Sequence, residues 1–412
     1  MEKPAPKKKV MLMSPNFGGG GAERSIAKLS LLLSGQGYEV HFVIFNVFAG
    51  REQVYPVEGR LHVLDVPAGK SYYDKAFRFL QRVTKVTRLK RTLGIDVCIS
   101  FLEGADYVNI ISRQKEKVVI SIRGSKENDK EIKGLLGAFR KRILMPWLYK
   151  KADAVVCVSE GIKHEVEQML KLHPGKARVI HNFYDVDAIR FLAGESLPDF
   201  AEELFKQSCI ITSGRLHPQK NHVGLIHSVA CLRKLGNKSK LVILGAGELK
   251  PLLIKTCAAL NLSVCSLKNE VLDLTADVFF LGYQKNPWLF MGRARAFVLS
   301  SLWEGFPNAL AEAMCLGLPV ISTDCPHGPA EILSEESLRY ETRNAATITK
   351  YGALVPMLCG ENDYKTCAGV MDRFLIDSEL RNKIGQAAES RIRGFSQENI
   401  FFEWQNVIDG QG

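Results

Sequence analysis

Ala296-Phe297-Val298-Leu299-Ser300-Ser301-Leu302-Trp303-Glu304-Gly305-Phe306-Pro307-Asn308-Ala309-Leu310-Ala311-Glu312-Ala313-Met314 decides how this chain folds. The apolar run Ala296 to Leu299 reads as a buried strand, Gly305 allows a tight turn, and Pro307 suits the first turn of a helix that carries Asn308 to Leu316. The passage is strand, loop, helix. Leu318 to Asp324 follows as another short apolar strand, and Cys325-Pro326-His327-Gly328-Pro329 as a loop leading into a further helix. Free amides at the helix start favour an anion. Glu304 and Glu312, with seven residues between them, can accept hydrogen bonds from the hydroxyls of a sugar or ribose. On spacing alone the pair could equally be one loop charge and one helix charge.

Working outward, the same alternation runs through the chain. Strand-like runs lie at Val10–Met13, Val40–Phe45, His62–Val66, Val97–Phe101, Val118–Ile122, Ala154–Val158 and Val179–His181. A second series lies at Cys209–Thr212, Lys240–Leu244, Val278–Leu281, Ala296–Leu299, Val320–Ser322 and Ala353–Val355. Short apolar strands separated by helical patterns indicate a parallel sheet covered by helices. At 412 residues the chain exceeds one hydrophobic core, so two domains of roughly 200 residues are expected. The expected fold is α/β, with two doubly wound, Rossmann-like domains at 1–190 and 209–390. A polar, acidic linker is expected at 191–208 and a final amphipathic helix within 391–412. In open α/β sheets ligands bind beyond the carboxyl ends of the strands, which directs attention to the loops after these runs. A cleft between two such domains is the expected site.

Net charge is +11, concentrated in Lys7-Lys8-Lys9, in six basic residues from Arg78 to Arg91, and between Lys130 and Lys151. Such patches attract anionic partners. No zinc finger, helix-turn-helix or aromatic-interleaved basic strand accompanies them, which argues against nucleic acid. An anionic membrane surface is the expected partner, because Phe79, Val83 and Val86 share one face of a cation-rich helical stretch from Ala76 to Lys90. An ordinary solvated helix over a sheet fits the same stretch. No run approaches the roughly 18 apolar residues of a membrane span, and the start carries no signal-peptide pattern. A cytoplasmic protein, peripheral on the inner face of the cytoplasmic membrane, is expected. The ten cysteines include no C-x-x-C pair and the nine histidines no ligand spacing. They read as reduced core residues, with no metal and no cofactor expected.

Ser14 to Arg24 contains four consecutive glycines before a helix. Gly20 and Gly21, nearest the helix, free the backbone to approach a phosphate or sugar. The spacing is not that of the G-x-G-x-x-G fingerprint. In Ser213-Gly214-Arg215-Leu216-His217-Pro218-Gln219-Lys220, Arg215 offers a planar fork and Lys220 a mobile point charge, together suited to two phosphates. Ala68-Gly69-Lys70-Ser71 imitates the end of a P-loop, but position 64 is Leu where the earlier glycine belongs.

These passages resemble the retaining glycosyltransferases of family 4, which have the two-domain GT-B fold. Glu304-x7-Glu312 and the Gly/Pro loop after it carry the resemblance over 303–332, and Gly214-Arg215-x4-Lys220 matches the family's G-R-x-x-x-x-K segment. The resemblance implies that Glu304 contacts the transferred sugar and Glu312 holds the ribose. Arg215 and Lys220 would bind the donor diphosphate and, with Glu304, form the catalytic set. Gly305, Phe306, Asn308 and Ala309 would line the donor. Leu244-Gly245-Ala246-Gly247-Glu248 resembles the family's G-x-G-x-E turn, with Gly245 lining the nucleotide pocket. Tyr283 and Gln284 look like its base-binding turn. The last helix is expected to pack back on the first domain. One position departs from the pattern: many members carry a histidine after the strand matching Val118–Ile122, and this chain has Arg123. An arginine cannot act as a base at neutral pH, so an acceptor-side role is expected for it. Asp185-Val186-Asp187 lies in a turn resembling the family's N-x-x-D and is not read as a metal site.

The implied activity is retaining transfer from a nucleotide-diphosphate donor, a UDP-sugar such as UDP-GlcNAc, UDP-GalNAc or a UDP-hexose. The acceptor would be a hydroxyl of a lipid-linked glycan in polysaccharide or lipopolysaccharide assembly. In such chemistry the diphosphate itself takes the acceptor proton, and no enzymatic nucleophile is required. Two alternatives stand: a non-catalytic sugar-nucleotide-binding subunit, and a GT-B sugar-nucleotide epimerase.

Overall fold

A computed structural model of the chain describes residues 8–16, 20–47, 55–127, 134–267, 271–335 and 345–410. Gly18 and Gly19 of the glycine loop, Lys7 of the first basic cluster, and Lys130 and Lys133 of the third lie outside the described residues. The chain divides into two compact units, 1–182 with 397–412, and 183–396.

The first unit is built on β1 (Lys9–Ser14), α1 (Gly21–Gly35), β2 (Glu39–Ile44), β3 (Arg60–Val63), α2 (Tyr72–Leu93), β4 (Val97–Phe101), α3 (Glu103–Ile111) and β5 (Lys117–Ile122). A helix then runs as α4 (Gly134–Phe139), a π segment (Arg140–Leu144) and α5 (Met145–Tyr149), before β6 (Ala154–Cys157), α6 (Glu160–Leu170) and β7 (Ala177–Val179). The strands form one parallel sheet in the order β3-β2-β1-β4-β5-β6-β7. Every residue of β4 is buried, as a strand covered on both faces requires. On α2, Phe79 and Val83 pack with buried Val86 against the core beneath. The face expected to meet a membrane is therefore the one that covers the sheet. Several cations of α2 also point inward. Arg82 binds the Val66 carbonyl, Lys85 that of Leu64, and buried Lys90 pairs with Glu116 at 2.7 Å.

The second unit opens with α7 (Val186–Ala193) and α8 (Asp199–Lys206), then β8 (Cys209–Ser213), α9 (His222–Lys234), β9 (Lys240–Leu244), α10 (Lys250–Ala259), β10 (Val264–Ser266), β11 (Val278–Gly282), α11 (Pro287–Met291) and β12 (Ala296–Leu299). It closes with α12 (Asn308–Cys315), β13 (Val320–Thr323), α13 (Pro329–Leu333), β14 (Thr347–Ile348), β15 (Ala353–Val355), α14 (Glu361–Ile376) and α15 (Ser378–Arg393). The sheet order is β10-β11-β9-β8-β12-β13-β15-β14, parallel except for the β14 edge. The stretch expected as a linker at 191–208 is instead folded into this unit. Ala201 and Leu204 of α8 are buried, and Phe200 and Phe205 lie against Phe290 of α11. The last helix, α16 (Gln397–Asp409), belongs to the first unit, where Tyr38 donates to Asp409 at 2.9 Å. Among the described residues no helix is long and apolar enough to cross a membrane.

Candidate active site

In the second sheet β8 lies between β9 and β12, so the chain leaves β8 on one side for β9 and returns on the other at β12. The loops after β8 and β12 diverge there, and this is where ligands sit in open α/β sheets. The first of these loops carries Arg215 and Lys220, the second Glu304.

The structure brings Lys220 and Glu304 together. Lys220 Nζ donates to Glu304 Oε1 at 2.6 Å, and Ser301 Oγ donates to the same oxygen at 2.6 Å. Glu304 is 7% exposed, so its charge is held by a cation and a hydroxyl rather than by water. The two loops are laced through backbone carbonyls: Ser300 Oγ donates to the Lys220 carbonyl at 2.7 Å, Leu302 N to the Gln219 carbonyl at 2.8 Å, and Gln219 Nε2 to the Trp303 carbonyl at 2.8 Å. The side chain of Lys220 therefore projects from a fixed base. Arg215 is exposed, and its guanidinium has no side-chain partner among the described residues.

Helix α12 starts after Pro307, with Asn308 and Ala309 half-buried at its first turn. Their amides lie among those that have no partner within the helix, and the aligned peptide dipoles make this end attractive to an anion. Asn308 Oδ1 accepts from Tyr184 at 2.8 Å. Glu312, 3% exposed, accepts from the indole Nε1 of Trp288 at 2.8 Å. The ring of Phe306 is buried and packs edge-on against Phe395 at 5.4 Å. The turn beside it is closely packed: a Cβ on Gly328, whose φ is +89°, would stand 2.8 Å from the Gly305 carbonyl.

Gly245 has a backbone reason to be glycine. Its φ is +137°, and a Cβ there would fall 1.9 Å from the Gly214 carbonyl. The turn after β9 thus presses onto the Arg215 loop, with Leu216 N donating to the Ala246 carbonyl at 2.9 Å. Tyr283 is exposed after β11, and Gln284 folds back to donate to the Leu281 carbonyl at 2.6 Å.

Within the first unit Gly20 caps α1, and Gly21 is the first residue of the helix, exposed to solvent. Arg123 donates to Asn182 Oδ1 and to the Ile180 carbonyl at 3.4 Å, and its guanidinium lies 5.6 Å from the Phe101 ring centroid. Ser25 donates to the same Asn182 oxygen at 2.9 Å. Arg123 therefore ties together the ends of β5 and β7 and the start of α1. Asp185 caps α7 by accepting from Ala188 N at 2.9 Å, and Asp187 pairs with Arg393 at 3.0 Å.

Two further groups flank the Lys220–Glu304 pair. Burial, reinforced by the charge on Glu304, pushes the Cys325 thiol well above its ordinary range, so it stays a thiol at neutral pH. Burial, with the Lys220 charge, pushes His222 down to about 4 and keeps it neutral. Neither supplies a nucleophile or a base poised near neutrality. The sequence reading did not single out Ser301, Trp288 or Tyr184. Ser301 stands three residues before Glu304, close enough for sequence to have raised it. The contacts of Trp288 and Tyr184 cross between elements and leave no local signal.

The profile of the glycosyl transferases group 1 family matches residues 199–391, and that of glycosyltransferase family 4 matches residues 19–188. An uncharacterized glycosyltransferase of Methanocaldococcus jannaschii is 31% identical over 360 residues, 81% of this chain and 84% of the relative. The chain is a family 4 glycosyltransferase. This glycosyltransferase is also 28% identical over 93% of its length to 95% of a Campylobacter jejuni N-acetylgalactosaminyltransferase. That relative's name gives its acceptor as N-acetylgalactosamine-N,N'-diacetylbacillosaminyl-diphospho-undecaprenol. Among solved structures, HepE of Anabaena in complex with UDP-glucose superposes with a TM-score of 0.71 at 17% identity, covering 98% of the glycosyltransferase and all of HepE. That likeness establishes the shared GT-B fold of two Rossmann-like units.

Proposed function

We propose that the protein transfers a sugar, with retention, from a UDP-sugar (a UDP-hexose or UDP-N-acetylhexosamine) to a hydroxyl of a lipid-linked glycan at an anionic membrane surface, as a step in cell-surface polysaccharide or lipopolysaccharide assembly. The observation that carries this reading is the Lys220–Glu304 pair at the switch point of the second sheet. A cation placed where a diphosphate would leave, bonded to a carboxylate placed where sugar hydroxyls would lie, is a donor site rather than a surface ion pair. Arg215, Lys220 and the first amides of α12 stabilise the charge that grows on the leaving diphosphate, an effect worth about 3 kcal/mol per well-placed donor. Glu304 orients the sugar and Glu312 the ribose. The leaving diphosphate takes the acceptor proton, and no metal or cofactor is required. Support for the uridine donor comes from the UDP-glucose bound to HepE, and support for the lipid-linked acceptor from the name of the C. jejuni relative.

The test is incubation of the purified protein with a panel of sugar nucleotides, with and without a diphospho-undecaprenol-linked glycan, while following nucleoside diphosphate release. Release that depends on the acceptor supports the reading. Binding without turnover would indicate a non-catalytic subunit, and acceptor-independent conversion of the sugar nucleotide an epimerase.

A further inference from the structure

The helix that runs from α4 through the π segment into α5 carries, among its described side chains, three large apolar ones that are exposed. Phe139 is 51% exposed, Ile143 57% and Trp147 59%. They recur every fourth residue. In a regular α-helix of 3.6 residues per turn, an i, i+4 row drifts around the axis. The wider π turn at Arg140–Leu144 offsets that drift, so the three side chains keep nearly to one line. The opposite side of the same helix is buried through Met145, Leu148 and Tyr149. The exposed row is therefore additional to the face that holds the helix on the sheet.

Charge within this segment has one sign. From Gly134 to Ala152 the chain has Arg140, Lys141, Arg142, Lys150 and Lys151 and no Asp or Glu. Arg140 is turned to Glu103 and Lys141 to the Glu127 carbonyl, while Arg142, Lys150 and Lys151 are exposed. The ammonium of Lys151 lies 3.6 Å from the Trp147 ring centroid. Helix α3 packs against both α5 and α2 on this side of the first unit, and α2 exposes a second apolar row, Tyr73, Phe77 and Leu80.

We propose that the Phe139–Ile143–Trp147 row is a docking surface for an anionic lipid bilayer. Its aromatic and aliphatic side chains enter the headgroup region, and Arg142, Lys150 and Lys151 meet the lipid phosphates. A tryptophan with an apolar body and a polar N–H suits the boundary between hydrocarbon and water. Lysines on flexible stems reach the phosphate level while their methylenes cover apolar surface. A second protein copy would need counter-charges that this segment does not offer. The surface expected from Phe79, Val83 and Val86 is thereby replaced by one on a different helix. The inference rests on the reading of a membrane-borne acceptor, but its test uses neither donor nor acceptor.

Full-length protein is sedimented with vesicles of phosphatidylcholine alone or mixed with phosphatidylglycerol. Wild type is expected to pellet with the anionic vesicles only, and to be released by salt. The Phe139→Ser/Ile143→Ser/Trp147→Ser variant and the Arg142→Gln/Lys150→Gln/Lys151→Gln variant should each bind about tenfold or more weakly, with UDP affinity intact as the control for folding. Variants that pellet as wild type does, or a wild type indifferent to lipid charge, would overturn the proposal. So would a wild-type dimer in sedimentation equilibrium that the first variant abolishes, since it would assign the row to a second copy. Loss of UDP binding in wild type would instead refute the donor reading and leave the vesicle result standing.

Discussion

Lys220 Nζ stands 2.6 Å from Glu304 Oε1, an oxygen that also accepts from Ser301. The cation proposed for the donor's diphosphate and the carboxylate proposed for its sugar are thus bonded to each other. Under the proposed function, incoming phosphates would compete with Glu304 for the ammonium. As Lys220 turned to the phosphates, Glu304 would keep its Ser301 bond and offer the released lone pairs to sugar hydroxyls, making diphosphate binding and sugar orientation one event.

Ser301 is then a positioning residue. Ser301→Ala leaves Glu304 without its fixed anchor once Lys220 moves to the diphosphate. A hydrogen bond to a charged group contributes about 1.5–3 kcal/mol, so kcat/KM for the UDP-sugar should fall roughly tenfold or more. The affinity for UDP, which has no sugar to orient, should be unchanged. Steady-state kinetics beside calorimetry with UDP separates the two, and equal losses in both would contradict the role.

Under the same proposal Trp288 would act through Glu312. Trp288→Phe keeps the ring's bulk and removes the N–H that donates to the buried carboxylate at 2.8 Å. UDP affinity should weaken about tenfold, because a charge-assisted bond is worth about 1.5–3 kcal/mol. Uracil, which has no ribose, should bind the variant and wild type equally.

How much of this could be read in advance follows from burial. Strands covered on both faces are short apolar runs, and β4, β9, β12 and β15 lie at the positions expected. The edge pieces β10 and β14 were not anticipated, because three residues and two residues at a sheet edge carry no such run. The acidic stretch read as a linker contains α8, an eight-residue helix with only Ala201 and Leu204 buried, too little apolar surface to distinguish it from a solvated connection. The apolar face of α2 was visible, but periodicity shows only that a face is covered, and here the sheet covers it. Glu304, Arg215 and Lys220 could be nominated from sequence because a loop motif is local. The partners that hold Glu312 and Asn308 were not, because Trp288 and Tyr184 come from other elements.

Arg123 is held by Asn182, the Ile180 carbonyl and the Phe101 ring. Arg123→His, which installs the residue common at this position in the family, should lower stability by about 1–3 kcal/mol through the lost charged hydrogen bonds. UDP affinity should stay as in wild type. Chemical denaturation with UDP titration checks both, and a large loss of UDP affinity with no loss of stability would assign Arg123 to the donor instead.

His222 gives a pH signature. Its folded-state pKa, about 4, lies below the ordinary 6.5, and the ring is almost fully buried. Between those values the unfolded chain binds the proton and the folded chain does not, so stability present above pH 6.5 is lost as pH falls toward 4. Relative to a His222→Asn variant, wild type should lose at most about 3 kcal/mol over that window. Urea denaturation of both proteins at pH 7.5 and near pH 4.5 (about two pH units below the unfolded value) measures the difference. A constant difference would contradict the assignment.

Whether Lys220 and Glu304 form the donor-sugar site is decided by UDP release from the preferred UDP-sugar in wild type, Lys220→Ala, Glu304→Gln and the double variant. Each single change should reduce kcat/KM about 10²–10³-fold, and the double variant should lose less than the product of the two, since the residues act as a bonded pair. Turnover in either single variant equal to that of wild type, with the fold intact, would contradict the account.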